Sequence, residues 1–181
     1  MINLKTNNME YYVIQLLTGK EEFFLKYAKN SLLEENIRFF WLRRELFIKK
    51  SGKIKKTVSS IFPGYIFVES ENISYDFYKK IRKFPGFCRF LRDNDDIKPL
   101  PNDDKKFIYQ LSLNGEIAGI SKIYFNKDDK IKVISGPMKG LEGEIIKVDK
   151  RKKRAKIKLK LYEDSFLIDF GFELIEHFCE K

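Results

Sequence analysis

In residues 155–161, AKIKLKL, lysines and aliphatic side chains alternate one for one: Lys156, Lys158 and Lys160 against Ile157, Leu159 and Leu161. Successive side chains of a strand point to opposite faces, so this period of two specifies a strand. One of its faces lies in a core and the other is lined with ammonium groups. Upstream, a Gly-Pro turn at Gly136 and two further glycines, Gly140 and Gly143, lead into a partner strand over 144–148. The tip between the two strands is almost wholly Lys and Arg. Nine of the fourteen residues 147–160 are basic and only Asp149 opposes them. Like charges gathered on one tip repel one another, so the pattern points to a polyanionic partner, and among polyanions to RNA.

The whole chain carries the same sign. Its 36 Lys and Arg exceed its 26 Asp and Glu by 10, a balance that favours nucleic acid or another anionic surface. Hydrophobic residues make up 43% of 181, enough for one domain or two small ones with modest cores. The only cysteines, Cys88 and Cys179, make neither a disulfide framework nor a zinc site, which fits a reducing compartment. The N-terminal apolar run is too short for a signal peptide, and no stretch approaches the roughly 18–20 apolar residues of a membrane span. A cytoplasmic, monomeric protein is expected, with no membrane contact.

Along the chain, residues 1–10 read as a loose N-terminus. A β-branched and aromatic run over 11–17 reads as a strand, closed by Thr18-Gly19. Thr18 is placed to cap a following helix with Glu21 as capping-box partner, and Phe24, Tyr27, Ala28 and Leu32 share a helical stripe that ends near Asn36. Residues 37–48 read as strand, and 49–56, KKSGKIKK, as a hairpin tip broken by Ser-Gly. A turn at Pro63 precedes an apolar strand. A second helix over 74–83 turns Phe77, Tyr78 and Ile81 inward, and another Pro-Gly leads to a strand ending at Leu91. Asn102 is placed to cap a third helix that buries Phe107, Ile108 and Leu111. This order predicts an α+β layer over 11–112, one mostly antiparallel sheet with helices. Periodicity then lapses over 113–126, a linker. Residues 127–181 follow with short strands and close turn signals, which predict an all-β barrel.

These two halves, in this order, resemble the NusG family of transcription elongation factors. The blocks that carry the resemblance are YYVIQ (11–15), FPGYIFV (62–68), IRKFPGF (81–87) with Phe90-Leu91, and Pro99-Leu-Pro101. The second half resembles that family's KOW domain through DKIKV (129–133) and Gly136, Pro137, Gly140 and Gly143. The resemblance implies an N-terminal NGN domain that docks on the coiled coil of the RNA polymerase clamp. It puts Tyr11, Phe62 and Tyr65 at the polymerase-binding positions. The Pro-Gly break predicts that Phe62 is presented at the surface, while Tyr65 reads equally as anchor or as core. It also places Arg43, Arg44, Lys49 and Lys50 toward exposed non-template or upstream DNA.

The second half departs from the general factor of that family. Met138 and Leu141 stand where phenylalanines are usual after Gly-Pro. Leu161-Tyr-Glu-Asp164 replaces a basic turn used for a ribosomal protein or the termination factor Rho. The runs VDKRKKRA (148–155) and FGFELI (170–175) are instead similar to specialised paralogues of the LoaP type, processive antiterminators that recognise an RNA hairpin in the leader transcript. On that reading Lys150, Arg151, Lys152, Lys153, Arg154 and Lys156 face the nascent RNA. Two alternatives stand beside it: a housekeeping factor coupling polymerase to ribosome or Rho, and a ribosome-associated KOW protein. An enzyme is not expected. His177 is the only histidine, no phosphate loop occurs, and the acid pairs Asp95-Asp96 and Asp103-Asp104 read as turn and cap chemistry. No cofactor and no metal are expected.

Overall fold

The computed structural model describes residues 9–32, 36–92, 94, 96–113, 115–162 and 164–175. In chain order its elements are β1 (Glu10–Leu16), α1 (Glu21–Ser31), β2 (Arg38–Phe40), β3 (Arg43–Lys50), β4 (Lys53–Ser60), β5 (Tyr65–Ser70), α2 (Tyr75–Ile81), β6 (Phe87–Phe90) and α3 (Asn102–Ser112). These are followed by β7 (Ile117–Ala118), β8 (Ser121–Phe125), β9 (Ile131–Ser135), β10 (Ile145–Asp149), β11 (Arg154–Leu161) and β12 (Asp164–Leu174), with a single 3₁₀ turn at Glu142–Glu144. The chain forms two compact units. One joins the stretch up to Trp41 with Phe62–Lys105, and the other joins Leu42–Ile61 with the residues from Lys106 onward.

The first unit is built on an antiparallel sheet of order β2-β5-β1-β6. Alternation along β1 and β5 sends Tyr12, Ile14, Leu16, Ile66 and Val68 to one face. There they meet Phe24, Leu25 and Ala28 of α1 and Phe77 and Ile81 of α2 in one apolar cluster. Burying a side chain of this size contributes roughly 1.5–3 kcal/mol, so a dozen such residues are enough to fix the register of a four-stranded sheet. Ser74 caps α2 by accepting the N–H of Phe77 at 3.1 Å, and the helix starts where the sequence places it.

The start of α1 differs from the sequence reading. Thr18 does not cap it. Gly19 turns at φ +87°, Lys20 takes the cap position without a side-chain bond, and the helix spans eleven residues. Glu21 is buried, and its carboxylate accepts the Gly64 N–H at 2.7 Å. The capping-box acid is therefore used across the sheet, on the turn before β5. Gly64 itself sits at φ +82°, where a Cβ would meet Leu16 O at 3.1 Å, so both its conformation and its surroundings require glycine. The helix closes at Ser31, before the expected end near Asn36. The cap of α3 moves as well: Lys105 N–H bonds to Pro101 O at 2.8 Å, which makes Pro101 the capping position.

The second unit contains two sheets, β4-β3-β7 and β10-β11-β12-β8-β9. Strands β3 and β4 thus leave the sheet of the first unit, where the sequence expects a single one. The 113–126 stretch, read as linker, holds β7 and β8. β7 pairs parallel to β3 at Arg43 and Arg44, and β8 pairs parallel to β12 at Phe172 to Leu174. Neither pairing leaves a local signal, because each partner lies about fifty or more residues away. The alternation predicted for β11 is present, with Ala155, Ile157, Leu159 and Leu161 buried and Lys158 and Lys160 exposed. β12 comes close to β3 at Gly171, where a Cβ would lie 2.5 Å from Ile120 Cδ1 and 3.0 Å from Glu45 O. A side chain there would have to displace Ile120 and press on the β3 backbone, and glycine avoids both.

Candidate nucleic-acid interface

The β10–β11 hairpin pairs Lys147 with Lys156, Val148 with Ala155 and Asp149 with Arg154, and turns over Lys150 to Lys153. Asp149 organises the turn. Its carboxylate accepts the Lys152 N–H at 2.8 Å. That bond, followed by the charges of Lys152, Arg151 and Lys147, holds the carboxyl below its ordinary range. Lys153 closes the loop in the left-handed region at φ 52°.

The six cations assigned to RNA by the sequence reading are not equivalent here. Arg151 and Lys152 are exposed at the tip, although Lys152 lies 3.9 Å from Asp149. Lys150 is exposed too, but its ammonium contacts Asp129 at 2.8 Å and stands 4.0 Å over the Phe125 ring. Lys153 is half-buried, 5.6 Å over the Phe47 ring. Arg154 turns away from the tip: its Nη2 donates to Phe47 O at 3.0 Å and its Nη1 lies 3.9 Å from Asp169. Lys156 pairs with the same Asp169 at 2.9 Å. Exposed pairs such as Lys150–Asp129 hold for no more than about 1 kcal/mol and can yield to a phosphate, whereas the half-buried Asp169 cluster is part of the packing.

The β3–β4 hairpin turns on two residues, Ser51 at φ 51° and Gly52 at φ 76°, the mirror-image turn that matches strand twist. Register puts Phe47 opposite Lys56 and Lys49 opposite Ile54, so these four share a face. Of the residues assigned to DNA, Lys49 and Lys50 are exposed near the tip. Arg43 is half-buried, 3.8 Å from Glu116. Arg44 donates to Ser60 O, and burial pulls its guanidinium down from its ordinary value, with Asp169 opposing and Arg154 reinforcing that shift. Asp169 is therefore the counter-charge for cations of two strands. The sequence reading missed it, although it is the one acid in the apolar run Phe166 to Phe172.

In the first unit, Tyr11, Phe40, Phe67 and Phe62 follow one another edge to face or stacked, with ring centroids 5.6, 5.5 and 5.8 Å apart. Phe62 is 1% exposed, which overturns its expected surface presentation. The Pro-Gly turn folds the chain back through Tyr65 N–H to Phe62 O at 3.2 Å, and the ring is tucked against Phe67. Tyr11 is buried as well, and Tyr65 is half-exposed.

Among the described residues no cluster of three or more His, Cys, Asp or Glu could hold a metal, and no helix is long and apolar enough to cross a membrane. His177, Cys179, Asp95 and Glu163 lie outside the described residues. Asp103 and Asp104 occupy the first turn of α3, and Asp96 contacts Lys98 at 2.6 Å.

Comparison with known proteins gives two family matches. Residues 9–108 match the family described as "Transcription termination factor nusG", and residues 127–158 match the KOW motif. Curated relatives include the transcription termination/antitermination protein NusG of Helicobacter pylori, 25% identical over 160 residues, covering 85% of this chain and 90% of the relative. The protein of that name from Thermus thermophilus is 23% identical over 185 residues, covering 93% and 98%. A solved structure described as "Domain interaction in Thermotoga maritima NusG" aligns with a TM-score of 0.53 at 17% identity, over 90% of this chain and 93% of that one. This last likeness is one of fold.

Proposed function

Because this chain belongs to the NusG family of transcription termination factors, we propose that it is a specialised antitermination and elongation factor of the LoaP type, not a general one. In this reading residues 11–112 dock on the clamp coiled coil of RNA polymerase, residues 127–181 form the KOW domain that grips a nascent RNA hairpin, and residues 113–126 join them. Holding both attachments on one chain raises the effective concentration of each for its site. The bound factor favours processive transcription of the operons whose leaders carry the RNA. No catalytic step is needed.

The observation that carries the reading is the β10–β11 tip, where a carboxylate-capped turn projects Arg151 and Lys152 with Lys150 beside them. A rigid turn presenting guanidinium and ammonium groups supports phosphate contacts and bidentate contacts to guanine. Lys153, Arg154 and Lys156 support the tip from below in this arrangement, and Lys158 and Lys160 extend its charge along β11. On the polymerase side, Tyr65 is the proposed anchor, with Tyr11 and Phe62 shaping the aromatic bed of the same sheet. Lys50 remains the proposed DNA-facing cation of the β3–β4 tip.

Binding of the full-length protein to a leader hairpin from its own genomic neighbourhood, a scrambled hairpin and duplex DNA tests this at near-physiological salt. A large preference for the native hairpin is expected, and replacing Arg151 and Lys152 by alanine should flatten the salt dependence by about two phosphate contacts. Equal, salt-labile binding to all three would favour the housekeeping reading instead. Tyr65→Ala is expected to weaken polymerase binding several-fold with RNA affinity intact. Unchanged polymerase binding would remove Tyr65 from the interface.

A further inference from the structure

The tips of the two basic hairpins line one groove of about 620 Å³ within the second unit. Its floor is apolar, with Phe47 and Ile48 from β3 and Ile54 from β4. Lys49, Arg151 and Lys152 are among the cations around it, and no carboxylate lines it among the described residues. Ile54 is 63% exposed, in a hairpin otherwise rich in lysine. A loop that served only to be solvated would have no use for an exposed aliphatic floor between cations.

Resting on the RNA-binding reading above, we propose that this groove takes one or two unpaired nucleotides flanking the RNA stem, with a base against Phe47 and Ile54 and its phosphates against Lys49, Arg151 and Lys152. Three properties select that occupant. The volume lies within the roughly 300–1,000 Å³ of small-ligand sites, enough for an unpaired nucleotide and too little for a duplex. Every base has an apolar face that packs on aromatic or aliphatic side chains regardless of sequence, which is how single strands are held without base-edge readout. Walls of one sign around a low-dielectric floor focus the potential on an anion. The consequence is that the β3–β4 hairpin, assigned to DNA by the sequence reading, forms the second wall of an RNA site.

The test uses the full-length protein and two RNAs, the blunt hairpin and the same hairpin with two unpaired 3′ nucleotides. Wild-type protein should bind the flanked RNA about tenfold more tightly. The gain should vanish in Lys49→Ala/Ile54→Ser, whose exposed positions spare the core, and persist in Val58→Ser outside the groove. A 5-iodouridine placed in the flank should crosslink to the peptide containing Phe47 to Ile54, a readout independent of any variant. If the flank adds nothing, or the double variant keeps the full gain, the groove proposal is overturned while the hairpin reading stands. Competition by an oligoglutamate peptide but not by a single-stranded oligonucleotide would also overturn it. If wild-type protein prefers neither RNA to duplex DNA, the RNA reading itself fails and the groove proposal falls with it.

Discussion

The two basic hairpins look alike as strings and differ as objects. β3–β4 turns on two residues, and its tip carries Lys49 and Lys50 in the open with Ile54 exposed beside them. β10–β11 turns on four residues, has the larger run of positive charge, and has much of that charge occupied by Asp129, Asp149 and Asp169. A count of lysines and arginines therefore measures how much charge a segment contains, and says little about how much it offers a ligand. That is decided by acids within the hairpin and on neighbouring segments, and by the strand period that turns each side chain toward them or away.

The largest effect that could break this comparison lies in the core side of the β3–β4 hairpin. Leu46 is buried on β3, and Leu46→Ala should cost about 2–5 kcal/mol in denaturant unfolding of the whole protein. Ile54→Ser, on the same hairpin but exposed, should stay within about 0.5 kcal/mol. Equal effects would mean that the hairpin does not pack as a wall of the second unit.

Next in size is the contrast between two counter-charges. Asp169→Ala leaves Arg154 and Lys156 without their half-buried partner and should destabilise by about 1–3 kcal/mol. Asp129→Ala frees the exposed Lys150 and should change stability by less than about 1 kcal/mol, and it should strengthen RNA binding slightly. If the two substitutions behave alike, Arg154 and Lys156 are as available as Lys150, and the distinction drawn between tip and support is wrong.

The smallest expected effect sharpens the account of the tip. The Asp149 carboxyl is held below its ordinary value of 3.8, chiefly by the Lys152 N–H. A depressed acid contributes stability that is present above the unfolded value and lost as pH falls through the folded one. The difference between wild type and Asp149→Ala should therefore be constant from neutral pH down to the ordinary carboxylate range and fade only below it. Carboxyl chemical shifts followed through an acid titration would check this, and a midpoint at or above the ordinary value would contradict the capped turn.

Much of the fold could be read from periodicity and punctuation. The alternation of β11, the start of α2 and the Pro-Gly turn before β5 are local signals acting over a few residues, and each appears where those signals put it. What could not be read was settled at long range. Glu21 had a local role available as a capping acid and instead bonds Gly64, forty-three residues away. Phe62 opens a Pro-Gly turn that suggests exposure, and is buried because its ring packs edge-on against Phe67. The parallel pairings of β7 and β8 and the departure of β3 and β4 to their own sheet also depend on distant partners. Of the candidate site, the basic tip was legible as composition. Its division into projecting and supporting cations was not, because Asp129 and Asp169 come from other parts of the chain.

On the proposed reading, a particular leader RNA recruits this factor to polymerase and makes transcription processive. Single-round transcription with purified RNA polymerase on templates carrying an intrinsic terminator behind either the native or a scrambled leader tests it directly. The account predicts that the wild-type protein raises read-through only behind the native leader, and that replacing Arg151 and Lys152 by alanine removes the increase. Equal read-through behind both leaders, unaffected by that replacement, would contradict it.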